Sequence, residues 1–128
     1  MNCIVGDIID LLLEEPEYQK AKSDSCGPRI ISGSPKRNIG KVLIEMTGGT
    51  SGPRNVFDKL YKAGVRTLVS MHMDEEHFKK VKDANLNVVI AGHISSDTLG
   101  LNLLLDRIEK EGTFQITGCS GFTRFPRP

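Results

Sequence analysis

The sequence predicts one α/β domain in which a mostly parallel sheet is flanked by crossover helices. The chain has 128 residues, close to the commonest domain size. Hydrophobic residues make up 38% and charged residues 26%, which is typical of a globular protein. From residue 41 onward, short apolar segments alternate with helical patterns, as expected for parallel strands joined by helices. Residues 1–128 are therefore treated as a single domain.

Residues 1–27 are predicted to form an N-terminal helix and a loop. Residues 3–14 carry apolar residues at helical spacing, and Pro16 limits that helix. Residues 16–28 are polar and end in SDSCGP, which is typical of a loop.

Residues 28–118 are predicted to form the core, and residues 119–128 an extended, partly mobile tail. Strands are predicted over 29–32, 41–47, 66–71, 87–91 and 113–117. The second of these is predicted to be buried. Helices are predicted over 53–63, 74–84 and 96–111, the first with Pro53 at its first position and Gly64 after its end. Helix 96–111 places four apolar residues at i, i+3, i+4, i+7 spacing: Leu101, Leu104, Leu105 and Ile108.

Charge and hydropathy argue against several classes of protein. The net charge of +1 gives no case for nucleic-acid binding, and the short runs PKR and RFPR are interpreted as solvated charges. No apolar run suits a signal peptide or a bilayer span, so a cytoplasmic location without membrane association is predicted.

The cysteines predict no disulfide framework. There are three, and none forms a CxxC pair, which fits a reducing compartment. Cys119 lies in the polar segment GCSG without a group nearby in sequence to activate it. It is interpreted as a small buried residue.

Chemically capable residues follow three predicted strands, in the segments TGGTSG, MHMDEEH and AGHISSD. Ligands gather at the carboxyl ends of parallel strands, so these segments are expected to converge. His93 and Asp97 are four residues apart across a strand–helix junction and suit zinc, manganese or iron. The spacing alone equally fits a hydrogen-bonded loop histidine and an acid that interacts with the helix dipole.

The remaining candidates give weaker signals. His72 follows the neighbouring strand and could face the same cleft, whereas His77 is interpreted as lying on a solvated helix face. In TGGTSG, Gly48, Gly49 and Thr50 could bind an anion at a helix N-terminus, but a tight turn explains the glycines equally well.

Three segments in order, KVLIEMTGGTSG, GVRTLVSMHM and NVVIAGHISSDTLGLNLLLDRIEKEG, resemble the C-terminal half of the NIF-three-like family. Its members are often labelled GTP cyclohydrolase type-2 homologues. The resemblance covers about residues 28–112. It implies a di-metal centre, with His93 and Asp97 as ligands and Asp in place of the commoner Glu. The position of His72 is often acidic in that family.

The resemblance also implies that this chain has an incomplete ligand set. The other family ligands, a His-His pair and an Asp, belong to the N-terminal half, and this sequence contains no HH pair. One hypothesis is therefore a metal-dependent hydrolase-like domain that needs a partner N-terminal half or a neighbouring subunit of a homo-oligomer. The alternatives are a non-catalytic metal-binding or assembly module and an anion- or nucleotide-binding domain.

Overall fold

The fold is a four-stranded sheet with helices on both faces. A computed structural model describes residues 3–47 and 52–128. The strands are β1 (Arg29–Ser32), β2 (Lys41–Glu45), β3 (Val65–Ser70) and β4 (Asn87–Ile90). The helices are α1 (Val5–Leu12), α2 (Pro16–Ser23), α3 (Phe57–Lys62), α4 (Glu75–Asp83) and α5 (His93–Glu111).

The strand order is β1-β4-β3-β2. β2, β3 and β4 are mutually parallel, and β1 pairs with β4 in the antiparallel direction. The predicted fold class is therefore confirmed, with one antiparallel pair in a mostly parallel sheet. The parallel register places Ser70 beside Ile90, so β3 and β4 end at the same edge of the sheet.

Each face of the sheet has its own hydrophobic cluster. Leu68, Val88 and Val81 belong to the cluster beneath α3 and α4. Val69, Val89 and Val5 belong to the cluster beneath α1. Alternating residues of β3 and β4 thus supply both clusters, as expected for central strands buried on both faces.

β2 differs from its prediction because it lies at an edge of the sheet. It ends at Glu45, and the side chain of Ile44 is 67% exposed, so the predicted buried strand over 41–47 is wrong in extent and in burial. An apolar composition does not distinguish a central strand from an edge strand.

Residues 16–23 form a helix where a loop was predicted. Pro16 occupies the first turn of α2, where its missing N–H costs nothing, instead of only ending α1. The sequence PEYQKAKS has no apolar stripe, but Glu17 and Tyr18 are buried and α2 packs against α5. Tertiary contacts therefore stabilise a helix that periodicity does not indicate.

Helix ends and the final strand also differ from prediction. α3 begins at Phe57 instead of Pro53, and α5 begins at His93 instead of Ser96. Residues 113–117 form no strand, pair with neither edge of the described sheet and are largely exposed, so the strand predicted there is wrong.

The C-terminal tail is anchored to α1–α2 and α5. Arg127 Nη2 lies 2.6 Å from Glu15 Oε2 and 2.7 Å from Glu17 Oε2, and Arg124 pairs with Asp106 and Glu109. The tail arginines are thus paired, which corrects the interpretation of RFPR as solvated charges. Cys119 is exposed, so its predicted burial is also wrong.

Candidate functional site

The ends of β3 and β4 bring His72 and His93 together. His72 follows β3 by two residues, and His93 follows β4 by three. Their rings are stacked, with centroids 5.4 Å apart and planes 19° from parallel. The expectation that strand-end segments converge is met at these two residues.

His93 and Asp97 lie on successive turns of α5. His93 Nε2 is 3.0 Å from Asp97 Oδ2 in an i,i+4 contact. The two residues were expected to span a strand–helix junction, but the earlier start of α5 places both on the helix. Their side chains are 48% and 61% exposed, so an ion pair between them contributes little stability and leaves their donor atoms accessible.

The start of α5 depends on Gly92. Its φ is +102°, and a Cβ there would lie 2.8 Å from Ser95 Oγ. Ser95 and Ser96 lie in the first turn of α5, and their hydroxyls donate to the carbonyls of Ala91 and Gly92. These contacts stabilise the backbone turn at Gly92, which places His93 beside His72.

Glu45 is a functional candidate that the sequence reasoning missed. It ends β2, and its Oε1 accepts a hydrogen bond from the Thr47 N–H at 2.9 Å. Burial raises the pKa of Glu45, but hydrogen bonds from Thr47 and Ser70 and the positive charge of His72 outweigh it and hold the pKa below its usual value. The strand-end rule that selected His72 and His93 selects this acid only once β2 is known to end at Glu45, two residues before the predicted end.

His77 has a structural role and is buried, not solvated as predicted. Its Nδ1 lies 2.7 Å from Asp74 Oδ2, and its Nε2 lies 2.9 Å from the Gly52 carbonyl oxygen. Both partners are acceptors, so the doubly protonated ring satisfies both. The bond to Gly52 is the largest influence and, together with Asp74, raises the pKa of His77 against the effect of burial. His77 therefore connects α4 to Gly52, the residue at which the described chain resumes before α3.

The described residues do not supply a complete metal site. Over 3–47 and 52–128, no group of three or more His, Cys, Asp or Glu side chains is arranged to hold a metal ion. The imidazole and carboxylate chemistry of His72, His93 and Asp97 fits a divalent metal, but their arrangement is partial. The candidate anion-binding residues Gly48, Gly49 and Thr50 lie outside the described residues.

Within the described ranges, no helix has the length and hydropathy needed to span a bilayer.

Comparison with solved structures identifies the fold. The chain is similar to a NIF3 superfamily protein from Sphaerobacter thermophilus, with 27% identity and a TM-score of 0.70 over 86% of this chain and 39% of that one. It is also similar to a Bacillus cereus protein related to NIF3, with 16% identity and a TM-score of 0.57 over 97% of this chain and 32% of that one. A Staphylococcus aureus protein matches with 16% identity and a TM-score of 0.55 over 98% of this chain and 39% of that one.

Sequence comparisons add no further relative. No protein-family model matches the chain. No curated protein matches it either. The resemblance seen in the sequence is nevertheless confirmed by the fold, and the chain spans between 32% and 39% of the length of these solved relatives.

Proposed function

Because this chain has the fold of the NIF3 superfamily over less than half the length of its solved relatives, we propose that it is a divalent-metal-binding domain completed by a second chain. One observation carries the proposal: the ends of two parallel strands stack His72 on His93, which contacts Asp97. Zinc, iron and manganese all accept this donor set.

The reaction class we propose is metal-dependent hydrolysis, with the physiological substrate undefined. A divalent metal at this place would polarise a carbonyl or phosphoryl oxygen and lower the pKa of a bound water. His93 and Asp97 are proposed as ligands. His72 is proposed as a third ligand or as the group that moves a proton at its exposed imidazole.

Metal titration tests the ligand assignment. We expect purified protein stripped with a chelator to bind one zinc, iron or manganese ion per site by calorimetry and elemental analysis. His93→Ala and Asp97→Ala should each weaken binding at least tenfold, whereas Asp83→Ala, an exposed aspartate at the end of α4, should leave it unchanged. Equal metal affinity in wild type and His93→Ala would contradict the assignment.

The surface of α5 supports completion by a second chain. Four apolar residues lie on one face at alternating spacings, with exposures of 80%, 43%, 54% and 37%: Ile94, Leu101, Leu104 and Ile108. Asp97 falls within the same 3-4 spacing, the seam pattern of paired helices. A chain that covers this seam must contact Asp97, so its own side chains come within reach of the metal ligands.

We propose a second copy of this chain as the occupant of the seam. A helix with a 3-4 apolar seam can pair with an antiparallel copy of itself, which satisfies the twofold symmetry usual in homodimers. Light scattering should show a dimer that Leu104→Glu dissociates. Leu103→Glu is the matched control, because Leu103 is 47% exposed on the other side of α5. A monomer at all concentrations, or equal effects of both variants, would contradict the proposed copy.

A further inference from the structure

A second site lies between the sheet and the α3–α4 layer, at the carboxyl ends of β2 and β3. A cavity of about 240 Å³ opens there, next to His72. Its walls are mostly apolar and include Leu43, Leu68 and Leu60. Cavities at the carboxyl ends of parallel strands are the usual place for small ligands in open α/β sheets.

The polar part of this cavity is a carboxylate with unused acceptor capacity. Glu45 lines the cavity, and its Oε2 lies 3.3 Å from Ser70 Oγ. Ser70 has one hydroxyl hydrogen and a shorter contact, 2.8 Å, to the His72 carbonyl oxygen. Ser70 therefore shares its hydrogen between two acceptors, and Glu45 Oε2, which has two lone pairs, can accept a further donor.

Two other polar groups of the wall, His77 and Asp74, are already engaged with each other and with the backbone. Both ring nitrogens of His77 are engaged, by Asp74 and by the Gly52 carbonyl. Asp74 also accepts the His77 backbone N–H as the N-cap of α4. Glu45 is thus the charged acceptor of the cavity whose protein contacts leave it available to a ligand.

We propose that this cavity binds a small organic cation: a compact apolar body that fills the space between β2, β3 and α3, with an amine or amidine group donating to Glu45. A cavity of about 150 Å³ accommodates a benzene-sized ring, so this larger volume admits such a ring with a short polar substituent. An amidine presents two parallel N–H donors, the geometry that a carboxylate accepts best. His72 lines this cavity and also belongs to the proposed metal site, so ligand binding is measured on metal-free protein.

Benzamidine is a suitable probe, with benzoate and benzyl alcohol as probes of similar size but different charge. Binding is measured by amide chemical shifts and calorimetry in the presence of a chelator, which separates this site from the metal site. We expect benzamidine to bind at least tenfold more tightly than either control and to shift signals of the cavity walls. Equal binding of benzoate, or no benzamidine binding at 20 mM (about 20-fold above a 1 mM Kd), would overturn the proposal.

Two variants locate the interaction. Glu45→Gln should weaken benzamidine binding about tenfold, while Glu111→Gln, an exposed acid at the end of α5, should not change it. Val56→Phe replaces a small side chain of the cavity wall with an aromatic ring and should weaken the binding of all three probes alike. Circular dichroism verifies that this variant is folded. Unchanged binding in Glu45→Gln or in folded Val56→Phe would refute the assignment.

Discussion

Removing Arg127 should strongly destabilise the domain, because its partner Glu17 has a side chain with no exposed surface. Arg127 Nη1 lies 3.0 Å from Glu17 Oε1, and Nη2 lies 2.7 Å from Oε2, so the carboxylate is bound on both oxygens. In Arg127→Met the tail would lose this contact, and the Glu17 carboxylate would remain buried without the arginine that neutralises its charge.

The expected loss is about 2–4 kcal/mol in the free energy of unfolding at pH 7. Breaking a buried ion pair costs roughly 3–5 kcal/mol. The lower range applies because the Arg127 side chain is 23% exposed, so water reaches part of the vacated space. With an unfolding entropy of about 2.1 cal/mol/K per residue, this loss lowers the Tm by roughly 7–15 °C.

The pH dependence gives an independent test. Burial raises the pKa of Glu17, but hydrogen bonds from Arg127 and Asn102 outweigh it and lower the pKa below 4.5. The stability from this group is therefore present above about pH 4.5 and is lost as the pH falls through the lowered folded value. In Arg127→Met the hydrogen bond and charge of Arg127 are lost, while burial, the backbone hydrogen bond and the Asn102 hydrogen bond persist, so the difference in stability from wild type should shrink in acid.

Urea unfolding of four variants measures the effect: wild type, Arg127→Met, Glu17→Gln and the double variant. Arg127→Met should cost less than about 1 kcal/mol in the Glu17→Gln background, since no buried charge is then stranded. Arg107→Met, an exposed arginine of α5, is the control and should change stability by less than about 0.5 kcal/mol. If Arg127→Met lowers the free energy of unfolding equally in wild type and in Glu17→Gln, the buried carboxylate does not account for the loss.

Two further predictions concern the elements around the strand ends. Because the folded pKa of His77 is raised, its stabilising contribution is fully present below about pH 6.5 and is lost as the pH rises through the folded pKa. The free energy of urea unfolding of His77→Gln should therefore differ from that of wild type more at pH 5.5 than at pH 9. A difference that is the same at both pH values would contradict this. Gly92→Ala should destabilise the fold by about 1–2 kcal/mol and weaken metal binding, because its positive φ and the close Ser95 hydroxyl exclude a Cβ. Gly100→Ala, with open space at the Cβ position inside the same helix, should instead stabilise by about 0.5–1 kcal/mol in thermal unfolding.

The alternating pattern of the sequence predicted the core of this fold because local signals and tertiary structure agree there. β3 and β4 have apolar centres and are largely buried, and α4 falls within the predicted helix 74–84. Prediction failed where distant contacts decide the structure. α2 has little intrinsic amphipathicity and forms against α5, and the tail is anchored by Arg127, which lies more than 100 residues from its partners Glu15 and Glu17.

The candidate site was predictable to the extent that it follows strand ends. His72 and His93 share an edge because β3 and β4 are parallel neighbours, which the order of elements indicates. Glu45 was overlooked because it stands inside an apolar strand pattern. His77 was misjudged because its burial depends on Gly52, 25 residues earlier in the chain, and no local pattern encodes that contact.

Helix α5 connects the stability of this domain to its proposed assembly, because its fully buried residues are polar, while apolar residues other than Leu99, which packs on the cluster beneath α1, form an exposed seam. Its buried residues are Ser95 and Asn102, and the Asn102 amide donates to Glu17 Oε1 and to the Thr123 carbonyl. The apolar seam from Ile94 to Ile108 faces solvent. Polar contacts with α2 and the tail therefore hold the helix in place, while its hydrophobic surface is left for another chain to cover. Since Asp97 lies in that seam, the contact that would bury the apolar surface would also enclose the proposed metal ligands.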